Sequence, residues 1–149
     1  MIHVSRTITV PMARDAAFHQ VAHFGRASEW DPGLVESRQE TPGEPGLGTV
    51  FPIVAEFRGK RTPMAYGITE WEPTTRMVIE GTGEKALARD EITFRDAPGG
   101  GCEITYTAAL GMKGVLKLAE PFLKGTFNQM GDEAVAGLAS WLAREARPA

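Results

Sequence analysis

PFLKGTFNQMGDEAVAGLASWLAREA, residues 121–146, is the stretch that decides the fold. Phe122, Leu123, Phe127, Met130, Ala134, Leu138, Trp141 and Leu142 recur at the spacing of one helical face. An unbroken helix of that length runs roughly 40 Å, enough to cross a domain of this size. The apolar segment begins earlier, near Val115, so Pro121 predicts a kink or a restart: proline has no backbone N–H and clashes with the preceding turn. Gly125, Gly131 and Gly137 each cost a helix about 1 kcal/mol relative to alanine. They either let the helix approach a neighbour closely or leave room for a ligand.

Upstream of this helix the period is two. Val4, Arg6, Ile8 and Val10 alternate with His3, Ser5, Thr7 and Thr9, which predicts a first strand with one buried face, stopped by Pro11. Ala16, Ala17, Phe18, Val21, Ala22 and Phe24 then follow helical spacing, with Asp15 in the first turn and Gly25 at the end. A second short turn, Arg26 to Glu29, leads to Trp30. Strands are then predicted over Leu34 to Glu40, around Phe51, Ile53, Ala55 and Phe57, and along Met64, Tyr66 and Ile68 to Trp71. Met77 to Glu80, Ala88 to Phe94 and Cys102 to Leu110 complete the series, with Gly81-Thr82-Gly83 and Ala97-Pro98-Gly99-Gly100-Gly101 as turns. Short turns between alternating segments indicate a meandering antiparallel sheet. The expectation is a single α+β domain over residues 1–149, with about seven strands wrapped around the terminal helix.

Composition excludes several classes. With 42% hydrophobic and 23% charged residues the chain is neither disordered nor a stack of membrane helices. Net charge is −3, without the concentrated basic face that nucleic-acid binding requires. Met1 to Thr7 has no charged segment followed by an apolar core, so no secretory signal is expected. Cys102 is the sole cysteine, which excludes an internal disulfide and suits a reducing cytoplasm.

The pieces Ile8-Thr9-Val10-Pro11 before Asp15-Ala16-Ala17-Phe18, Trp30-Asp31-Pro32 and Pro45-Gly46-Leu47-Gly48-Thr49 stand in an order shared with a known superfamily. Ile68 to Met77 and Gly100-Gly101-Cys102-Glu103-Ile104-Thr105-Tyr106 complete the set. In these the chain resembles the START-like superfamily of polyketide cyclases/dehydrases and lipid-transport proteins, with the helix-grip fold. The resemblance implies a deep cavity between sheet and long helix. It transfers no catalytic residue, because members share the cavity and differ in its use.

Several residue sets have the chemistry of candidate sites. His19 and His23, four apart on a helix, have the spacing of two metal ligands, but they project away from the Phe18/Val21 stripe; an exposed face explains them, and no metal or cofactor is expected. The loop from Gly43 to Gly48 opens onto a strand, where a phosphate cradle opens onto a helix, and the resemblance makes it a hairpin at the cavity rim. Asp90 shares parity with Ile92 and Phe94, and Tyr66 and Tyr106 share parity with inward-facing neighbours. A carboxyl in an apolar cavity beside phenols can act as acid or base. Against this, Asp90 reads as lying near a strand end beside Arg89, which favours a solvated carboxylate. Lys113, Lys117 and Lys124 beside Met112, Val115, Leu116 and Leu118 fit either a membrane-docking or anionic-ligand entrance, or cations that keep an apolar helix in solution.

The expected function is binding of a hydrophobic or amphipathic small molecule, with Phe51, Ile53, Tyr66, Ile68, Tyr106, Phe122, Phe127 and Met130 lining the cavity. The alternatives are a cofactor-free cyclase/dehydratase using Asp90 with Tyr66 or Tyr106, and a protein-partner module with a vestigial cavity. No nucleic acid or integral membrane association is expected, and monomer and homodimer both stay open.

Overall fold

A computed structural model describes residues 1–146. Its elements are β1 (Ile2–Val10), α1 (Arg14–Ala22), a 3-10 turn (Phe24–Glu29), β2 (Leu34–Ser37), β3 (Val50–Phe57) and β4 (Lys60–Glu72). Then come β5 (Arg76–Gly83), β6 (Ala86–Asp96), β7 (Cys102–Met112), a second 3-10 turn (Gly114–Ala119) and α2 (Glu120–Glu145). The seven strands form one sheet in the order β1-β7-β6-β5-β4-β3-β2, every neighbour antiparallel. The sheet curls about α2, as expected of a helix grip.

Two strands depart from the sequence expectation. β2 ends at Ser37, three residues before Glu40, and the chain then leaves for the long loop to β3. Gly81, Thr82 and Gly83 belong to β5, paired with β4 and β6, rather than to a turn. Pro121 does mark a restart: the 3-10 turn ends at Ala119, and α2 begins with the proline in its first positions, where its missing N–H costs no internal bond.

The long helix has two different halves. Leu138, Trp141 and Leu142 are buried in a packed core together with Phe18, Val21 and Phe24, which close that end of the sheet. Phe18 meets Trp71 and Phe94 edge-on, with ring centroids 4.8 and 5.3 Å away, and Phe24 meets Phe51 at 5.9 Å. Such edge-to-face pairs add about 0.5–1.5 kcal/mol each beyond area burial. Helix and corner are locked together at Gly137, where a β-carbon would collide with the Trp30 carbonyl oxygen. Glycine here serves close approach. The N-terminal half of α2 has no such dense packing beneath it and roofs a cavity.

Candidate functional site

The cavity measures about 390 Å³ and lies between the N-terminal half of α2 and the concave face of the sheet. Its wall is built by strand parity. Val4 and Arg6 come from β1, Met64 and Tyr66 from β4, Ala86, Ala88 and Asp90 from β6, and Tyr106, Ala108 and Leu110 from β7. Leu123, Phe127, Met130 and Ala134 close it from the helix. Small residues keep the space open: Ala88, Ala108 and Ala134 stand where larger apolar side chains would fill it.

Polar groups gather on the inner wall. Asp90 lies opposite Ala108 on β7, so Tyr106, two residues along, is its diagonal neighbour on the same face. The Tyr106 hydroxyl donates to Asp90 Oδ2 at 2.6 Å. Burial pushes the Asp90 carboxyl up to about 7; the Tyr106 hydrogen bond offsets part of this, and the charge of Asp31 adds to it. Asp31 also faces the cavity, from the Trp30-Asp31-Pro32 corner. Burial raises it to about 6, although its Oδ1 accepts the Gly33 N–H at 2.8 Å. Both carboxyls therefore titrate near neutrality.

Tyr66 completes the cluster. Its ring rests on Gly81 of β5, where a β-carbon would stand 2.7 Å from it. Burial and the neighbouring Asp90 and Asp31 raise both phenols, so they are neutral donors at physiological pH. Among the described residues, the Tyr66 hydroxyl has no hydrogen-bond partner, although it borders the cavity. Arg6, opposite Tyr106 in the β1–β7 ladder, also contributes to the wall. Its guanidinium is held by Asp132 at 2.7 Å and Asn128 at 3.4 Å on α2.

The structure sorts the sequence-derived residues. Tyr66, Tyr106, Phe127 and Met130 stand on the cavity wall. Phe51, Ile53 and Ile68 face the same concave side but lie in the packed core, where Phe51 meets Phe24 edge-on. Phe122 is 78% exposed, because the helix turns Leu123 inward in its place. The solvated strand-end reading of Asp90 gives way: β6 starts at Ala86, so Asp90 is inside the strand, while Arg89 points to the opposite face and meets Glu70 at 3.1 Å. The Gly43–Gly48 loop is absent from the cavity wall; the β3–β4 turn, with Phe57, Arg58 and Lys60, forms the rim instead.

Arg6 shares strand parity with Val4, Ile8 and Val10, and Asp31 belongs to the Trp30-Asp31-Pro32 corner; neither pattern signals a site by itself. The Asp-Pro-Gly order, with an aspartate two residues ahead of glycine, was the available signal for a side chain folded back on its own turn. His19 Nδ1 lies 2.8 Å from the Asp15 carbonyl, and His23 lies 3.6 Å from Glu44. Among the described residues, no three of His, Cys, Asp and Glu are grouped to hold a metal.

The family model described as polyketide cyclase / dehydrase and lipid transport matches residues 1–142. Among solved structures, the chain is similar to the Zhui aromatase/cyclase from Streptomyces sp. R1128, with a TM-score of 0.81 at 12% identity over 97% of this chain and 95% of that one. It is also similar to a START superfamily protein from Mycobacterium smegmatis, with a TM-score of 0.78 at 11% identity over 97% and 99% of the two chains. An uncharacterized protein of Mycobacterium tuberculosis is 25% identical over 138 residues, 92% of this chain and 90% of its own length. These structural likenesses concern the fold.

Proposed function

The chain belongs to the polyketide cyclase / dehydrase and lipid transport family, and from that premise we propose that it binds one amphipathic small molecule in the cavity under α2. The observation that carries this reading is the polar cluster of Asp31, Tyr66, Asp90 and Tyr106 on a wall that is mostly apolar, with Arg6 beside it and further cations at the rim. A cavity of about 390 Å³ falls within the roughly 300–1,000 Å³ of small-molecule sites. The apolar body of the ligand lies along Ala88, Ala108, Leu110, Leu123 and Phe127. Its oxygenated end meets the free Tyr66 hydroxyl and the Asp90–Tyr106 pair. A hydrocarbon without a polar end leaves those groups unmatched and binds less well.

Native mass spectrometry of the purified protein tests this, with an apolar fluorescent probe as a second readout. A co-purifying lipid or polyketide-like metabolite, or saturable probe binding displaced by one, supports the reading. A protein that carries nothing and binds no probe sinks it.

A second reading, acid–base catalysis on an enolisable ligand, is favoured by one further observation. Asp90 is poised near pH 7 with a phenol at 2.6 Å, the range in which a carboxyl can both give and take a proton. On this reading Asp90 takes a proton from carbon and Tyr66 donates to the developing enolate oxygen. Asp90→Asn separates the two: it abolishes turnover of a polyketide-type model substrate while leaving its binding intact.

A further inference from the structure

All five lysines of the chain, Lys60, Lys85, Lys113, Lys117 and Lys124, fall on three segments that meet at one end of the fold. Lys60 and Lys85, from the β3–β4 and β5–β6 turns, line the cavity itself. The Lys113 N–H bonds the Lys85 carbonyl at 2.9 Å, which joins the second turn to the start of the 3-10 segment. Arg58, beside Lys60, reaches the Phe122 carbonyl at 3.4 Å and Thr126 Oγ1 at 3.3 Å, which joins the first turn to α2. Among the described residues, none of the five lysines makes a salt bridge, whereas Glu29, Glu70, Asp96, Glu103 and Asp132 elsewhere pair with arginines.

The same end carries the chain's most exposed large apolar side chains. Val115, Leu118 and Phe122 are 84, 80 and 78% exposed. Their intervening neighbours Leu116, Ala119 and Leu123 turn the other way and line the cavity. One short segment is thus apolar on both sides, one face toward the cavity and the other toward solvent. The carboxylates nearby do not neutralise it. Glu120 is held by the Met112 N–H at 2.9 Å and the N-terminal ammonium at 3.4 Å, and Glu56 lies 3.9 Å from Arg61; Glu84 adjoins Lys85, and Glu133 shares a groove with Arg58, so the five lysines with Arg58 and Arg61 still outnumber them.

We propose that this end of the molecule is a docking surface for an anionic lipid bilayer, with Val115, Leu118 and Phe122 entering the headgroup boundary and the lysines facing acidic lipid. Three apolar side chains ringed by unpaired cations, on a chain of net charge −3, match the chemistry of such a surface. The docked face is also the rim of the cavity, so a ligand leaving the bilayer enters without crossing water. Docking itself does not depend on which ligand the cavity takes.

Vesicle co-sedimentation tests this on the full chain. Vesicles of phosphatidylcholine with phosphatidylglycerol as a third of the lipid are expected to pull the protein down at low salt, and phosphatidylcholine alone is not. High salt releases it, since the attraction is screened within a Debye length of about 8 Å at physiological ionic strength. The double variant Leu118→Glu with Phe122→Glu abolishes sedimentation. Lys117→Glu with Lys124→Glu lowers the partition coefficient by at least about fivefold per lysine. These side chains are exposed, so all variants keep the wild-type melting temperature. Ala108→Trp, inside the cavity, still sediments, which separates loss of docking from loss of ligand binding. Absence of binding to anionic vesicles overturns the proposal, as does sedimentation indifferent to both double variants. A concentration-dependent dimer in analytical ultracentrifugation, lost in the glutamate variants and unaccompanied by vesicle binding, overturns it in favour of a second copy of the chain.

Discussion

Tyr106 and Asp90 are diagonal neighbours on β7 and β6, and the phenol donates to the carboxyl at 2.6 Å inside a mostly apolar cavity. The pairing satisfies the carboxyl without supplying a cation. Burial therefore dominates, and the proton is held to about pH 7.

Stability is accordingly expected to fall as the solution becomes more alkaline. Asp90 rises from 3.8 to about 7 and Asp31 from 3.8 to about 6 on folding. A carboxyl whose folded pKa is raised contributes fully below its unfolded pKa and loses that contribution as pH rises through the folded value. The window runs from about pH 4 to pH 7. Asp90→Asn, whose amide oxygen still accepts from Tyr106, should flatten the profile and exceed the wild type at pH 8 by on the order of 2–4 kcal/mol. Denaturant melts across that range decide it, and a wild type that gains stability between pH 4 and 8 refutes the burial argument.

Filling the cavity should cost little. Ala108 sits on the wall opposite Val4 and Asp90. Ala108→Trp is expected to fold with a loss of about 1–3 kcal/mol and to abolish binding of an apolar fluorescent probe. Retention of full probe affinity would move the binding place elsewhere.

Trp30 anchors the corner before Asp31. It is 4% exposed, with the Phe24 and Tyr106 rings each 6.2 Å away, edge-on. Trp30→Ala should lose about 3–5 kcal/mol in urea melts. It should also loosen Tyr106 and so depress probe binding; a loss under about 1 kcal/mol would remove its anchoring role.

Gly137→Ala tests the helix–corner contact. An alanine ordinarily strengthens a helix interior by about 1 kcal/mol over glycine. Here the added carbon meets the Trp30 carbonyl oxygen, so a net loss of about 1–3 kcal/mol is expected. Because the obstacle is backbone, combining it with Trp30→Ala should bring no relief, and a double variant more stable than Trp30→Ala alone would contradict the geometry.

Much of the architecture was legible because one side of every strand is apolar, so period two fixed parity along β1, β3, β4, β6 and β7. Parity placed Tyr66, Asp90 and Tyr106 on the inward face. It carries no information about depth along the strand, however. Phe51, Ile53 and Ile68 have the right parity and belong to the packed half beneath Leu138 and Trp141, whereas Ala88 and Ala108 border the void. Whether a concave face is filled depends on which side chains arrive from α1 and α2, a relation between distant segments. Phe122, by contrast, was legible: inside α2 it lies about 100° around the axis from Leu123, on the arc of Thr126, Gln129 and Glu133, so helical spacing by itself places it outward. Gly81 read as a turn because its function, making room for the Tyr66 ring, comes from the neighbouring strand.

The pairing of β1 with β7 has a consequence for the order in which the chain acquires structure. Ile2 pairs with Leu110 and Val10 with Cys102, and β1 has no other strand neighbour. At about 5–20 residues per second, a ribosome delivers this partner some 5–20 s after β1 itself has emerged. During that interval the first strand is an unpaired ribbon bearing Ile2, Val4 and Val10, the kind of edge chaperones shield, and the lipid-facing end at Val115 to Phe122 is made only after its partner has arrived. Assembly therefore closes from the meander outward, with β1 docking among the last strands although it is made before them.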